Sequence, residues 1–282
     1  MKPRAGEDRR RSSASGGALS RGLMIIDALI VAPTSMSLSA IAELVSLDIT
    51  TTSRLLRTLE EASYVQRDRQ TRAYSPTPKA IQPLPVLHPV NVMRQESQPI
   101  IAKLSRKLHE TTLLMLFFQG ERMIISVTQY PGSLLPLDES WPRTPLHATA
   151  SGQILLQSLT EQERIDKLGK GPFEAATETT ITELSALNAQ LEINANRGYA
   201  LLIGTAKRGM TSVGVPVQAW NGQIVGCLVT TGLTELYTED RIQTIISELK
   251  IQSTLLPITA TSIQKMVHYL PGIRSLGTSD FK

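Results

Sequence analysis

Cysteine is nearly absent from this chain of 282 residues: Cys227 stands alone, which excludes an internal disulfide framework and any cysteine-rich zinc site. The four histidines, His88, His109, His147 and His268, fall at no metal-ligand spacing such as His-Glu-x-x-His, so neither a metal nor a cofactor is expected. Phosphate-cradling loops are missing too, because the chain has no P-loop and no Gly-x-Gly-x-x-Gly. Ser151 sits in Ala150-Ser151-Gly152 and lacks the Gly-x-Ser-x-Gly elbow of a hydrolase nucleophile; helix capping or anion binding suits it better. No internal repeat is present, and no stretch approaches the roughly 18 to 20 consecutive apolar residues of a membrane span. Leu23 to Ala32 imitates a signal peptide after Arg21, but Asp27 interrupts it and a helical period runs across it. The expectation is a cytoplasmic chain without a membrane partner and without a catalytic constellation.

What is present begins with length and apolar content. With 41% apolar residues the chain can form two domains with real cores. In residues 38–60, Leu38, Ile41, Ala42 and Val45 recur at helical spacing, and so do Thr52, Leu55, Leu56 and Leu59. Two short amphipathic helices are predicted, joined by a turn at Ser46-Leu47, with Asp48 capping the second. The outward set is then Thr50, Thr51, Ser53, Arg54, Arg57 and Thr58, donors suited to base edges and phosphates with no acid before Glu60. A helical hairpin with a solvated face satisfies this pattern taken alone. The surroundings favour a helix-turn-helix: a helix from about Ser20 to Val31 precedes it, and a β-prone pair, 64–67 and 72–75, follows around the polar turn 68–71. That pair reads as a wing carrying Arg67, Arg69 and Arg72 towards phosphates beside the major groove. Double-stranded DNA is the implied partner.

Charge agrees with this partition. Residues 1–79 hold 12 Lys/Arg against 8 Asp/Glu, whereas the remainder is balanced at 17 against 17. The polar, Arg-rich start of the chain is expected to be a disordered basic tail.

Between Pro76 and Pro99 stand Pro78, Pro83, Pro85 and Pro89, which marks a linker, followed by a helix over about 90–109 that Pro99 should kink or restart. A hairpin over 112–129 comes next. Helices are predicted over 148–159, 161–168 and 182–196, the last stopped by Gly198, and strands over 199–203, 211–218 and 223–231. Asn221-Gly222 signals a type I′ turn between the last two strands. A final helix from Thr238 should break at Pro257 and resume to about Leu270. Hairpin-paired strands with segregated helices mean α+β with an antiparallel sheet. Cys227, in a strand, is expected to be a buried inert thiol, and His147 to make a structural hydrogen bond.

The segments RGLMIIDAL (21–29), LSAIAELVSLDITTTSRLLRTLEEASYVQRD (38–68), PLHATASGQILL (145–156), RGYALL (197–202) and GMTSVGVPV (209–217) together resemble the IclR family of bacterial transcriptional regulators over about residues 20–270. The resemblance implies a winged helix-turn-helix at 20–78, with the motif at about 38–57, after a tail at 1–19. It implies a linker and linker helix at 79–109, a GAF-like effector-binding domain at 110–272 and a tail at 273–282. It further implies a homodimer or homotetramer on a palindromic operator, in a bacterial cytoplasm and on the nucleoid when bound, with repression slightly favoured as the sign and a catabolic pathway as the target.

Carried over position by position, the effector set is Ala150, Ser151, Leu202, Ser212, Val229 and Thr231. Leu202 stands in a stretch where the family is acidic, and Val229 where glyoxylate-type sensors carry serine. Such a pocket suits a partly apolar or aromatic carboxylate better than glyoxylate. Leu202 and Val229 as plain core is the competing assignment. Ser46 replaces the usual turn glycine, and the wing tip Gln70-Thr71 also lacks one. Two other readings stay open: a metabolite-processing enzyme with a DNA-binding appendage, and an architectural DNA-binding protein whose second domain only oligomerises.

Overall fold

The computed structural model describes residues 17–84, 86–118, 120–132 and 144–266, and the chain divides into two units, residues 1–85 and 86–282. Most of the tail expected at 1–19, all of that at 273–282, and the helical stretch expected to reach Leu270 beyond Met266 lie outside the described residues.

In the first unit, helix α1 (Ala18–Val31) is followed by α2 (Leu38–Leu44) and α3 (Ile49–Glu61), then strands β1 (Val65–Arg67) and β2 (Tyr74–Pro76) and a single turn of helix, α4 (Pro78–Ile81). The apolar spacing read from the sequence is the core: Ile25 and Leu29 meet Ile41, Val45, Leu55, Leu56, Val65 and Tyr74. α2 ends in a Schellman motif. The N–H of Leu47 donates to the carbonyl of Ala42 and that of Ser46 to Glu43, which places Ser46 in the left-handed region at φ 55°. The hairpin β1–β2 is antiparallel, with Arg67 opposite Tyr74. At its tip the left-handed residue is Arg72, φ 60°, rather than Gln70 or Thr71. Asp68 shapes that turn by accepting from the amides of Gln70 and Thr71.

In the second unit, α5 (Pro89–Leu108) precedes the hairpin β3 (Thr111–Phe118) and β4 (Glu121–Thr128). A 3-10 turn (Leu146–Ala148), α6 (Ala150–Gln157), α7 (Glu161–Leu168) and α8 (Leu184–Arg197) follow. Strands β5 (Ala200–Ile203), β6 (Met210–Gln218) and β7 (Ile224–Leu233) and helices α9 (Glu239–Thr259) and α10 (Ser262–Met266) complete it. The five strands form one antiparallel sheet in the order β4-β3-β7-β6-β5. Alternate residues of β3 and β7 (Leu113, Met115, Phe117, Cys227, Val229) pack with Ala150, Ile154 and Leu155 of α6 on one face. On the other, α5 packs on β4 and β3, and α9 on β6. Both faces being covered, the strands carry near-continuous apolar runs.

Four expectations change here. The segment read as linker and linker helix, 79–109, divides between the units: α4 lies in the first and α5 in the second. α5 runs through Pro99 without restarting. The lost hydrogen bond costs about 3 kcal/mol, but burial of Met93, Ile101 and Leu104 stabilises by roughly 1.5–3 kcal/mol each. Likewise α9 passes the buried Pro257 and ends at Thr259. Finally, the β6–β7 loop is not type I′. Only Gly222 has positive φ (78°), and the Gly222 amide donates to the Ala219 carbonyl at 2.9 Å. The result is a type I turn over Ala219–Gly222 with a bulge at Gly222, so Asn221 needs no left-handed backbone.

Candidate functional site

Two surfaces carry functional side chains, one in each unit. In the first, Asp48 caps α3: its carboxylate accepts the Thr51 amide at 2.8 Å, and these bonds hold the Asp48 carboxyl below its ordinary value. A capped start fixes the phase of the helix. Thr52, Leu55 and Leu56 face the core, while Thr50, Ser53, Arg54 and Arg57 are exposed and Thr51 is half-buried. The structure therefore brings the predicted helix residues to one solvent face. Thr58 is a partial exception, since its hydroxyl turns back to donate to the Arg54 carbonyl at 3.2 Å. Arg57 lies 3.8 Å from Glu61, both exposed, a pair of little energetic weight that leaves the guanidinium available.

The wing arginines differ among themselves. Arg69 and Arg72 are exposed. Arg67 is half-buried, its guanidinium 5.2 Å over the Tyr74 ring and its Nε donating to the Arg72 carbonyl at 3.3 Å. It braces the hairpin as well as lending charge to it. Ile49, which sequence reasoning passed over, opens α3 with 56% of its surface exposed. Together with Leu38 it borders the concavity formed by Thr50, Ser53, Arg54 and Arg57. An exposed β-branched apolar residue at the head of such a helix suits the thymine methyl in a major groove. Its signal in the sequence was position, the first residue after the cap.

In the second unit, the carried-over residues lie on the α6 side of the sheet. Leu202, Ser212, Thr231 and Thr111 form one row across β5, β6, β7 and β3, and Ala200, Gly214, Val229 and Leu113 the next. The Ser212 and Thr231 hydroxyls are 2.8 Å apart and hydrogen bonded. Ala150, Leu202 and Val229 are buried in the same apolar cluster. Ser151 is 1% exposed.

The segment before α6 explains why PLHATASG must be what it is. Thr149 caps α6 by accepting the Gly152 amide at 3.1 Å. A Cβ on Gly152 would lie 2.1 Å from the Leu146 carbonyl oxygen, so only glycine fits beneath the 3-10 turn. Nε2 of His147 is 3.0 Å from the Glu174 carbonyl, and its ring stacks on Phe173, the structural role expected of it. Gln153 donates to the His147 carbonyl and accepts from Asn194 of α8. The Thr205 hydroxyl donates to the Ala148 carbonyl at 2.7 Å. The start of α6 is thereby fixed on all sides. The residue that sequence reasoning missed is Arg122, whose Nη1 donates to Thr149 Oγ1 at 2.6 Å and to Ser151 Oγ at 3.0 Å. Strand parity could have found it: opposite Phe117 in the register, it is a cation at an inward position.

Cys227 is buried, and burial pushes its thiol well above the ordinary range. Among the described residues no group of His, Cys, Asp and Glu is arranged to hold a metal ion, and no helix is long and apolar enough to cross a membrane.

Residues 18–69 match the IclR helix-turn-helix domain, and residues 85–259 match the family described as bacterial transcriptional regulator IclR C-terminal. A probable transcriptional regulator, SauR, of Cupriavidus necator is 26% identical over 245 residues, covering 85% of this chain and 95% of that one. Among solved structures, IclR of Thermotoga maritima superposes with a TM-score of 0.67 at 24% identity, covering 87% of this chain and 98% of that one. An IclR homologue from Microbacterium hydrocarbonoxydans complexed with 4-hydroxybenzoate gives 0.70 at 18% identity, covering 90% and 100%. The matched relatives are regulators rather than enzymes, and the two structures share the architecture described above. The chain belongs to the IclR family of bacterial transcriptional regulators, with a DNA-binding helix-turn-helix unit followed by an effector domain.

Proposed function

We propose that this regulator binds a palindromic operator as a dimer or dimer of dimers and controls a catabolic pathway, with repression the favoured sign. Its effector is a small, partly apolar or aromatic carboxylate, bound between the start of α6 and the row Leu202–Ser212–Thr231. The observation that carries the reading is the pairing of two features in one chain. Arg54 and its neighbours stand exposed on a capped helix, and buried hydroxyls of Ser151 and Thr231 stand among apolar side chains. Exposed donors on a helix suit base edges, and a few polar groups in an apolar setting suit a small ligand. One fold relative is complexed with 4-hydroxybenzoate, an aromatic carboxylate, which makes that class the first to try.

One winged helix reads only a few base pairs, so specificity calls for two half-sites about one helical turn apart, ~34 Å. Sedimentation of the full chain is expected to give a dimer or tetramer. Footprinting on DNA upstream of the neighbouring genes is expected to protect an inverted repeat, with ligand changing operator affinity roughly 5- to 150-fold. A monomer that binds its operator tightly, or a chain that protects no specific DNA, would overturn the reading.

A further inference from the structure

Arg122 sits where electrostatics should exclude it. Its guanidinium lies against the residues that start α6, donating from Nη1 to Thr149 Oγ1 and Ser151 Oγ and from Nη2 to the Thr144 carbonyl at 2.6 Å. A helix N-terminus carries a partial positive charge, so a cation there meets charge of its own sign; cations belong at the other end. A partly buried cation is ordinarily matched by a carboxylate. Here none is available among the described residues. Its neighbour Glu121 is 73% exposed and paired with Lys167 at 2.7 Å. The Cys227 thiol stays protonated because burial raises its pKa. All three acceptors of Arg122 are neutral oxygens, and they engage three of the five guanidinium protons; among the described residues nothing accepts from Nε–H or from the second Nη2 proton. Burial also presses the Arg122 pKa downward, outweighing the attraction of Glu121.

Resting on the effector site proposed above, we propose that Arg122 is the residue that recognises the effector's charge. The carboxylate of a monoanionic ligand occupies the unused Nε–Nη2 edge of its guanidinium, while the ligand body packs towards Leu202 and Val229. A planar fork of N–H donors matches a carboxylate better than any other group in the site. The anion would also relieve the repulsion between the guanidinium and the helix N-terminus. An uncharged ligand could do neither, so the site selects for charge.

The test uses the full-length protein with benzoate and phenylacetate as probes and their uncharged twins, benzamide and phenylacetamide. Calorimetry and thermal melts are expected to show that the wild type binds the acids at least tenfold more tightly than the amides. In Arg122→Gln this preference should fall to about one, with unliganded operator binding kept, and Arg122→Lys should retain part of it. A merely structural strut would change the melting temperature without changing the preference for charge. Should Arg122→Gln fail to fold, Ser151→Asp supplies a built-in carboxylate: it should raise the unliganded melting temperature and abolish the benzoate response. The inference is overturned if Arg122→Gln or Ser151→Asp prefers acids over amides as the wild type does. It is equally overturned if the wild type responds to neither acid while still binding its operator, a result that leaves the regulator reading standing. Loss of specific operator binding in the wild type would instead strike that broader reading.

Discussion

The Asp48 carboxylate accepts the amide of Thr51 at 2.8 Å, so the helix that presents Arg54 begins on a charged cap. Because the cap lowers the folded-state pKa of Asp48 below its ordinary value, its contribution is fully present above the ordinary carboxylate pKa and is lost as pH falls through the depressed one. Asp48→Ala should lower both melting temperature and operator affinity, whereas Asp48→Asn should keep the cap but not its pH dependence. Melts of wild type and Asp48→Asn between pH 7 and pH 3 would show it; identical profiles would remove the cap from the argument.

Arg54 is the candidate base reader on the exposed face of α3. Arg54→Ala should cost about 1–3 kcal/mol of operator binding and relax preference at one position in each half-site. Arg57→Ala and Arg72→Ala should weaken all sequences about equally and flatten the salt dependence. Gel shifts over a set of operator variants separate the two patterns, and normal specific binding by Arg54→Ala would contradict this placement of α3.

Ser46 holds φ 55° in the turn between α2 and α3. Ser46→Gly should therefore stabilise the DNA-binding unit by about 1 kcal/mol, the strain of a left-handed non-glycine residue less the added freedom of glycine when unfolded. Chemical denaturation of the full chain, followed by a probe in that unit, measures it. A lower midpoint would mean that the serine side chain contributes something the backbone geometry does not reveal.

Gly152 faces the Leu146 carbonyl, with room for no side chain. Gly152→Ala should destabilise the effector unit by at least about 1–3 kcal/mol, as overpacking in a filled core does. Thermal unfolding checks this directly. The neighbouring Ala150→Gly removes a methyl near Gly214 and should do less harm. If Gly152→Ala melts like the wild type, the tight turn before α6 is not what the motif protects.

Much of the architecture was legible because it rests on local rules. The spacing of Ile41, Val45, Leu55 and Leu56 gave the helix-turn-helix, Asp48 its cap, and Gly198 the left-handed end of α8 at φ 73°. Those signals act within a turn or two of chain. The errors came where distant residues outvoted a local signal. Pro257 read as a break and Pro99 as a kink or restart, yet each helix continues through its proline among buried neighbours.

The sequence alone determined the family, the order of the parts and the identity of the exposed donors on α3, since periodicity, caps and motifs are properties of neighbouring residues. Tertiary structure decided which side chains share a space. Leu202, Ser212 and Thr231 become one row only through the register of three strands. Arg122 and Ser151 lie 29 positions apart and come within 3.0 Å only when β4 and α6 pack on one another. The charge balance of a site depends on such meetings across the chain, and no local pattern encodes them.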